Sequence, residues 1–368
     1  MKKIWIVFMA AAIFACQPKQ KESFTINGSI SGLDNGKVYL QDRVDGLMVN
    51  VDSAEVQNGN FSFSGELKHP EIFYLNIDGG VASRLTLFVE NTDIEVDIDA
   101  ENPSQYQVSG SKSHEIFTGL DEVVQPFDER LRFDQEEIQK AVEENNEILA
   151  DQLQERYEET ERLRKQAVLD YVNQYSDQPA AVFIAIRQLS HGLDHEELQE
   201  ILDIFDTELS GSRYYDDLAG RVADLERVSI GKPAIDFTLP DPEGNEISLS
   251  DYRGKYVLLS FWASWCPYCR AENPDLVKAY NEIDSEDFEI IGVSLDRTHE
   301  AWVKGIEEDG LTWPQVSDLE GWRSEPAGKY VVRSIPQNIL IGPDGTIVAR
   351  NLKYNELTEL IPRLLQSV

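Results

Sequence analysis

The sequence predicts an α/β domain at the C-terminal end, preceded by an all-β module and a helical region. Three observations predict it. Residues 24–111 carry short runs that alternate apolar and polar with period two, broken by turn residues. Residues 112–228 switch to a helical period. Residues 229–368 interleave continuous apolar runs with helical stretches, and a Cys-x-x-Cys stands at one run-to-helix junction. A length of 368 residues, 41% of them hydrophobic, accommodates more than one core. Lys and Arg number 33 against 67 Asp and Glu, a net charge of −34. That balance excludes nucleic acid as the main partner and adhesion to an anionic membrane through a basic patch. Three cysteines (Cys16, Cys266 and Cys269) are too few for a disulfide-stapled scaffold, and with five histidines too few for most Cys-rich zinc modules. No metal and no cofactor is expected.

The first fifteen residues read as an address. Lys2 and Lys3 form a positive n-region, and residues 4–15 are uncharged. Such a run is too short to span a bilayer core of about 30 Å as a helix and fits the h-region of a secretory signal. The end, Ile13-Phe14-Ala15-Cys16, resembles a bacterial lipobox. The resemblance implies that Cys16 is lipidated and heads the mature chain, with residues 16–23 as a tether. Gln17, where an Asp would mean retention at the inner membrane, leans towards the outer one. Nothing further along is long or apolar enough to cross a membrane.

Within residues 24–111, stretches 37–40, 61–63, 84–89 and 94–98 read as strands. Asp34-Asn35-Gly36, Asn58-Gly59-Asn60 and Asp78-Gly79-Gly80 separate them with turn chemistry, which gives a β-sandwich-like module without a catalytic constellation. Residues 128–170 contain no Gly or Pro, and Ile138, Val142, Leu149 and Leu153 lay out one apolar stripe. Asn145 and Asn146 break the heptads, against a sustained coiled coil. Pro179 opens a short buried helix over 180–189, and Asp194 with Glu197 starts a helix running to 209. His191 and His195 are one turn apart in spacing, but Gly192 between them argues against a metal pair. The charge runs are solvated faces.

From residue 229 the chemistry begins. Residues 256–261 form a β-rich apolar run, as a buried central strand requires. Trp262-Ala263-Ser264-Trp265-Cys266-Pro267-Tyr268-Cys269 follows at once, then a helical pattern from 267 to 283 with a kink expected at Pro274. Strands are expected at 288–295, 338–341 and 346–349, and helices at 298–308 and 356–365. A cysteine at a helix N-terminus faces unpaired N–H groups and the positive end of the helix dipole, which favour its thiolate. Cys266 has that position at an exposed helix end. Cys269 lies one turn inward, shielded by Tyr268 and the strand. Cys266 therefore attacks a disulfide and Cys269 resolves the mixed disulfide. A purely structural disulfide has no need of this junction, and a metal site would need more ligands than the neighbourhood offers.

Residues 229–368 resemble the TlpA/ResA-type thioredoxin fold, a family of extracytoplasmic thiol-disulfide oxidoreductases. The matching residues are Gly254-Lys255, Phe261-Trp262-Ala263, Trp265-Cys266-Pro267-Tyr268-Cys269, Glu272, Pro274, Ile335-Pro336, Asp344-Gly345 and Ile347-Val348. The resemblance implies an α/β thioredoxin fold, a redox-active Cys266–Cys269 disulfide and a cis-proline at Pro336. It also implies a substrate groove made by Trp265, Pro267, Tyr268, Ile335 and Pro336. Ser260 stands where cytoplasmic thioredoxins have a buried Asp, and Glu272, three residues after Cys269, supplies the carboxylate typical of the TlpA/ResA type. Gln337 stands where many relatives have Thr. The β module resembles those that precede such domains in bacterial envelope lipoproteins. Together these imply a lipid-anchored oxidoreductase of the cell envelope, facing the periplasm. It would reduce disulfide-containing or thiol protein clients with electrons from a membrane thiol donor and would serve, in some relatives, cytochrome c maturation. Two other functions compete. One is a client-binding envelope lipoprotein with an accessory redox domain. The other is a peroxiredoxin-like peroxidase, whose signature Thr and Pro fall here on Ala263 and Leu259.

Overall fold

The structure, a computed structural model, describes residues 21–44, 46–78 and 84–366. The segment 1–15, expected to be a signal, and Cys16 lie outside the described residues. These fall into two compact units. One runs to Leu189 and includes Ile204–Asp216; the other comprises Ser190–Asp203 and the chain from Asp217.

In the first unit, strands β1 (Phe24–Ser31), β2 (Asn35–Val44), β3 (Leu47–Gln57), β4 (Asn60–Gly65), β5 (Glu71–Asp78), β6 (Arg84–Val89), β7 (Asp93–Asp99) and β8 (Gln107–Ser109) form a single sheet. Its order is β6-β5-β2-β3-β4-β1-β7-β8. The pair of layers expected of a sandwich is thus joined into one continuous sheet. Alternation puts Ile26, Val38, Leu75, Leu87 and Ile94 into a shared core. Gly28 on β1 lies opposite Phe61 on β4, and a Cβ there would stand 1.9 Å from the ring. The missing side chain lets the aromatic lie across the strand.

Helices α1 (Lys112–Glu143) and α2 (Glu147–Gln174) form a hairpin, with α3 (Pro179–Gln188) packed on both. The expected single stripe does not exist. The chain turns between α1 and α2, with Asn145 at φ 54° and the Asn146 side chain capping α2, and leaves Val142 62% exposed. Ser111 caps α1 and ties it to the sheet by donating to the Phe88 carbonyl (2.8 Å). His114, on the first turn of α1, is buried, and its Nδ1 accepts the Phe88 N–H (3.2 Å). Burial without a compensating anion drives its pKa down to about 4.

The second unit holds α4 (His195–Leu202), opened by the Asp194–Glu197 capping box. It ends at Leu202, seven residues before the expected end. Helix α5 (Arg213–Arg227) leads into the α/β domain. A hairpin of β9 (Thr238–Pro240) and β10 (Glu246–Ser248) precedes the main sheet. That sheet has the order β13 (Gln315–Val316), β12 (Phe288–Ser294), β11 (Tyr256–Trp262), β14 (Gln337–Ile341), β15 (Ile347–Arg350). Strand β11 is parallel to β12 and antiparallel to β14. Paired on both edges, it is buried at every residue. Helix α6 (Pro267–Ile283) follows it directly, runs through Pro274, and contacts α7 (His299–Asp309) and α9 (Tyr354–Gln366). The short α8 (Glu325–Lys329) lies before β14. The C-terminal domain is a thioredoxin fold, preceded by an all-β module and a helical region.

Candidate active site

The central strand delivers the chain to the sheet's edge at Trp262, and residues 263–265 turn it into α6. Cys266 is the N-cap of that helix in extended conformation (φ −90°, ψ 108°), and Pro267 occupies the first helical position, where its missing N–H is no loss. A disulfide joins Cys266 to Cys269, with Cα atoms 5.3 Å apart. The sulfur of Cys266 takes the role usually held by a Ser or Asp oxygen: it accepts the Cys269 N–H at 3.1 Å. The same N–H and the helix dipole would favour a thiolate there once the pair is reduced.

Ile335–Pro336 is a cis peptide bond, and the Ile335 carbonyl oxygen lies 3.7 Å from Cys266 Sγ. Trp265, Pro267, Tyr268 and Pro336 are all exposed, and Ile335 is half-buried. Cys266 itself is not at an exposed end: 4% of it is accessible, against 1% of Cys269. Tyr268 is 79% exposed and shields nothing. The sulfur is instead recessed, because the cap position turns it towards Ile335 rather than out to solvent.

Glu272 lies one turn after Cys269, half-buried, with its pKa raised by desolvation and then by the nearby Asp275 carboxylate. Ser260 is buried on β11, opposite Asn338 and Gly292.

Sequence reasoning missed the groups that hold the junction. Asp296, 1% exposed, follows β12. One of its carboxylate oxygens accepts the Ser264 N–H (3.0 Å) and the Ser294 hydroxyl (2.7 Å), and the other accepts the Ser264 hydroxyl (2.6 Å). Arg270 donates to the Ser264 carbonyl (3.3 Å), to Asp309 (2.6 Å) and to Glu308 (2.9 Å), and Asn273 also donates to Asp309 (2.6 Å). Ser264, two residues before Cys266, is thereby held from both β12 and α6. Behind it, the Trp262 indole N–H donates to Gln315 Oε1 (3.0 Å). Gly292 makes room for that amide, since a Cβ at 292 would come within 2.2 Å of it. A signal for Asp296 existed: a carboxylate directly after a buried apolar strand needs donors.

Residues 230–350 match the AhpC/TSA family, and residues 24–117 match a domain of unknown function, DUF4369. The ResA thiol-disulfide oxidoreductase of Bacillus thuringiensis (strain Al Hakam) is 36% identical over 140 residues, which cover 38% of this chain and 79% of that protein. ResA of Bacillus subtilis (strain 168) is 33% identical over 126 residues, covering 34% and 69%. Among solved structures, a thiol-disulfide oxidoreductase from Bacteroides fragilis is 37% identical, covering 37% of this chain and all of that one, with a TM-score of 0.34. The thioredoxin domain of one from Bacteroides vulgatus is 39% identical, covering 37% and 97%, with a TM-score of 0.35. The hydroxyl a peroxidatic Thr would supply has no counterpart here, where Ala263 is fully buried and Leu259 lies inside β11.

Proposed function

This chain belongs to the ResA-like thiol-disulfide oxidoreductases, and from that premise we propose that it reduces disulfides of extracytoplasmic protein clients through Cys266 and Cys269. The observation that carries the reading is the N-cap sulfur of Cys266, bonded to the Cys269 N–H beside the cis Ile335–Pro336 bond. In the reduced pair the Cys266 thiolate attacks one sulfur of a client disulfide. A mixed disulfide forms, and the client's second sulfur leaves as a thiolate and takes up a proton. Cys269 gives up its proton, with Glu272 as the nearby carboxylate of raised pKa, and attacks Cys266 Sγ. The client's remaining sulfur leaves, and the pair ends as the intramolecular disulfide. Two electrons and two protons pass to the client for each turn, so the pair must be re-reduced by a thiol donor at the membrane.

The envelope location rests on the lipobox ending at Cys16. Among the described residues no helix is long and apolar enough to cross a membrane. Reduction of an apocytochrome disulfide to the two thiols that take haem is one client reaction that fits. Trapping tests the reading. A full-length Cys269→Ala protein should accumulate a mixed disulfide with its client in the membrane fraction, and Cys266→Ala should accumulate none. Cys16→Ser should move the trapped species out of that fraction. Clients trapped by Cys266→Ala instead would reverse the assigned roles.

A further inference from the structure

Trp265, the residue before Cys266, packs against a second tryptophan far from it in sequence. The ring of Trp322 lies 6.3 Å from that of Trp265, with the planes at 58°. Both are about half-exposed, 45% and 51%. A ring that packs against another exposed ring contributes little to the core, yet the turn that carries Trp322 is firmly built. Ser317, buried, accepts the Leu319 N–H (3.1 Å) and donates to the Ser294 carbonyl at the end of β12 (3.0 Å). The Asp318 carboxylate accepts the N–H groups of Glu320 (3.1 Å) and Glu325 (2.8 Å). Leu319 and Gly321 hold φ of 58° and 61°, the first a rare conformation for a leucine. A Cβ at 321 would meet Arg297 Nε at 2.9 Å. The turn is over-determined, and its product is an indole face held beside Trp265.

We propose that Trp322 and Trp265 together form a docking face for an aromatic or large aliphatic side chain two residues from the client's reacting cysteine, which makes Trp322 a specificity-determining residue. The inference rests on the exchange reaction assigned to Cys266. A client sulfur bonded to Cys266 must enter a recess that leaves 4% of that residue accessible. The client's adjoining residues, about 3.8 Å apart along the backbone, then lie across the rim, of which Trp265 is the residue directly before the sulfur. The docking face is therefore continuous with the surface any client must cover. Its occupant is a client in extended conformation, which turns the side chain two residues from the cysteine to the same face as the sulfur, towards the two rings.

The test uses the full-length reduced protein and two disulfide-bridged peptides that differ only in the residue two before the cysteine, Phe or Gly. The wild-type protein should favour the Phe peptide in kcat/KM. Trp322→Ala should reduce the Phe-to-Gly ratio by about two- to tenfold, the range of one aromatic contact, through KM rather than kcat. Trp322→Phe should retain most of it. A merely structural role would slow both peptides alike and leave the ratio unchanged, which would overturn the proposal. Self-association of the wild-type protein that Trp322→Ala abolishes would assign the face to a second copy and also overturn it. Wild-type exchange with both peptides but without preference would sink this proposal alone; no exchange with either would sink the reaction and this proposal together.

Discussion

Replacing Asp296 separates the support of the active-site loop from its chemistry. The carboxylate is 1% exposed and accepts three hydrogen bonds, two of them from Ser264. Asp296→Ala leaves the Ser264 N–H and two hydroxyls without their acceptor. Hydrogen bonds to a charged group are worth about 1.5–3 kcal/mol each, and three buried donors left without their acceptor cost about 1–3 kcal/mol each, about 3–9 kcal/mol together. Ser264 is only part-buried, so water recovers some of its share, and the lower half of that range is expected. Domains of this size lose about 2–4 °C in Tm per kcal/mol, so the Ala variant should melt about 10 °C lower. Asp296→Asn should behave differently. Its carbonyl can keep the two donors that share one oxygen, and its amide can face the Ser264 hydroxyl, which rotates to accept. The expected cost is about 1 kcal/mol. Calorimetry of the oxidised full-length protein, with Ala and Asn side by side, makes the comparison. The Ala variant should also exchange more slowly with a small disulfide, because Ser264 precedes the cap by two residues. Equal losses for the two variants, or a loss below 1 kcal/mol for Ala, would refute the role given to the carboxylate.

Glu272 has a pKa raised by burial and by Asp275, so the folded state binds its proton more tightly than the unfolded chain does. Stability should therefore fall as pH rises through the window between the ordinary carboxylate value and the raised one. Glu272→Gln should flatten that dependence in pH-resolved unfolding, and should remove one limb of the exchange-rate profile; a profile identical to wild type would retire Glu272 from proton transfer. His114 has the opposite sign. Its pKa drops from 6.5 to about 4 in the fold, so the unfolded chain holds the extra proton and the first unit should lose up to about 3 kcal/mol as pH falls across that interval. An imidazole resonance of His114 titrating near 6.5 in the folded protein would disprove it.

The legible parts of this protein are those whose signal is local. Strand β11 announces itself because a strand paired on both edges must be apolar at successive residues, and Cys266 because Pro267 marks a first helical turn. The alternating runs of the β module are equally local, but nothing local says that strand β1 pairs in parallel with β7, which joins the sheet into one. The α1–α2 turn was misread for a physical reason. Helical spacing continues across Asn145 and Asn146 by count, yet the first adopts φ 54° and the second caps a new helix, so Val142 faces solvent. Adjacent asparagines in an otherwise uniform helical stretch were the signal. The support of the site was illegible because it is assembled over distance. Asp296, Arg270 and Asp309 meet only once β12, α6 and α7 pack, and Trp322 reaches Trp265 only through a turn set by Asp318. The recessed sulfur belongs to the same class, since the N-cap conformation and the Ile335 carbonyl decide it rather than the motif's spacing.

The recess turns exchange into a measurement of depth. Attack requires direct access of one sulfur to another, and Cys266 meets only a sulfur that protrudes beyond its own surroundings. A cystine in the interior of a finished protein has no such reach, whereas one on an unfolded or loosely held chain does. In the proposed exchange the site would therefore favour a protruding disulfide over one packed in a protein's interior.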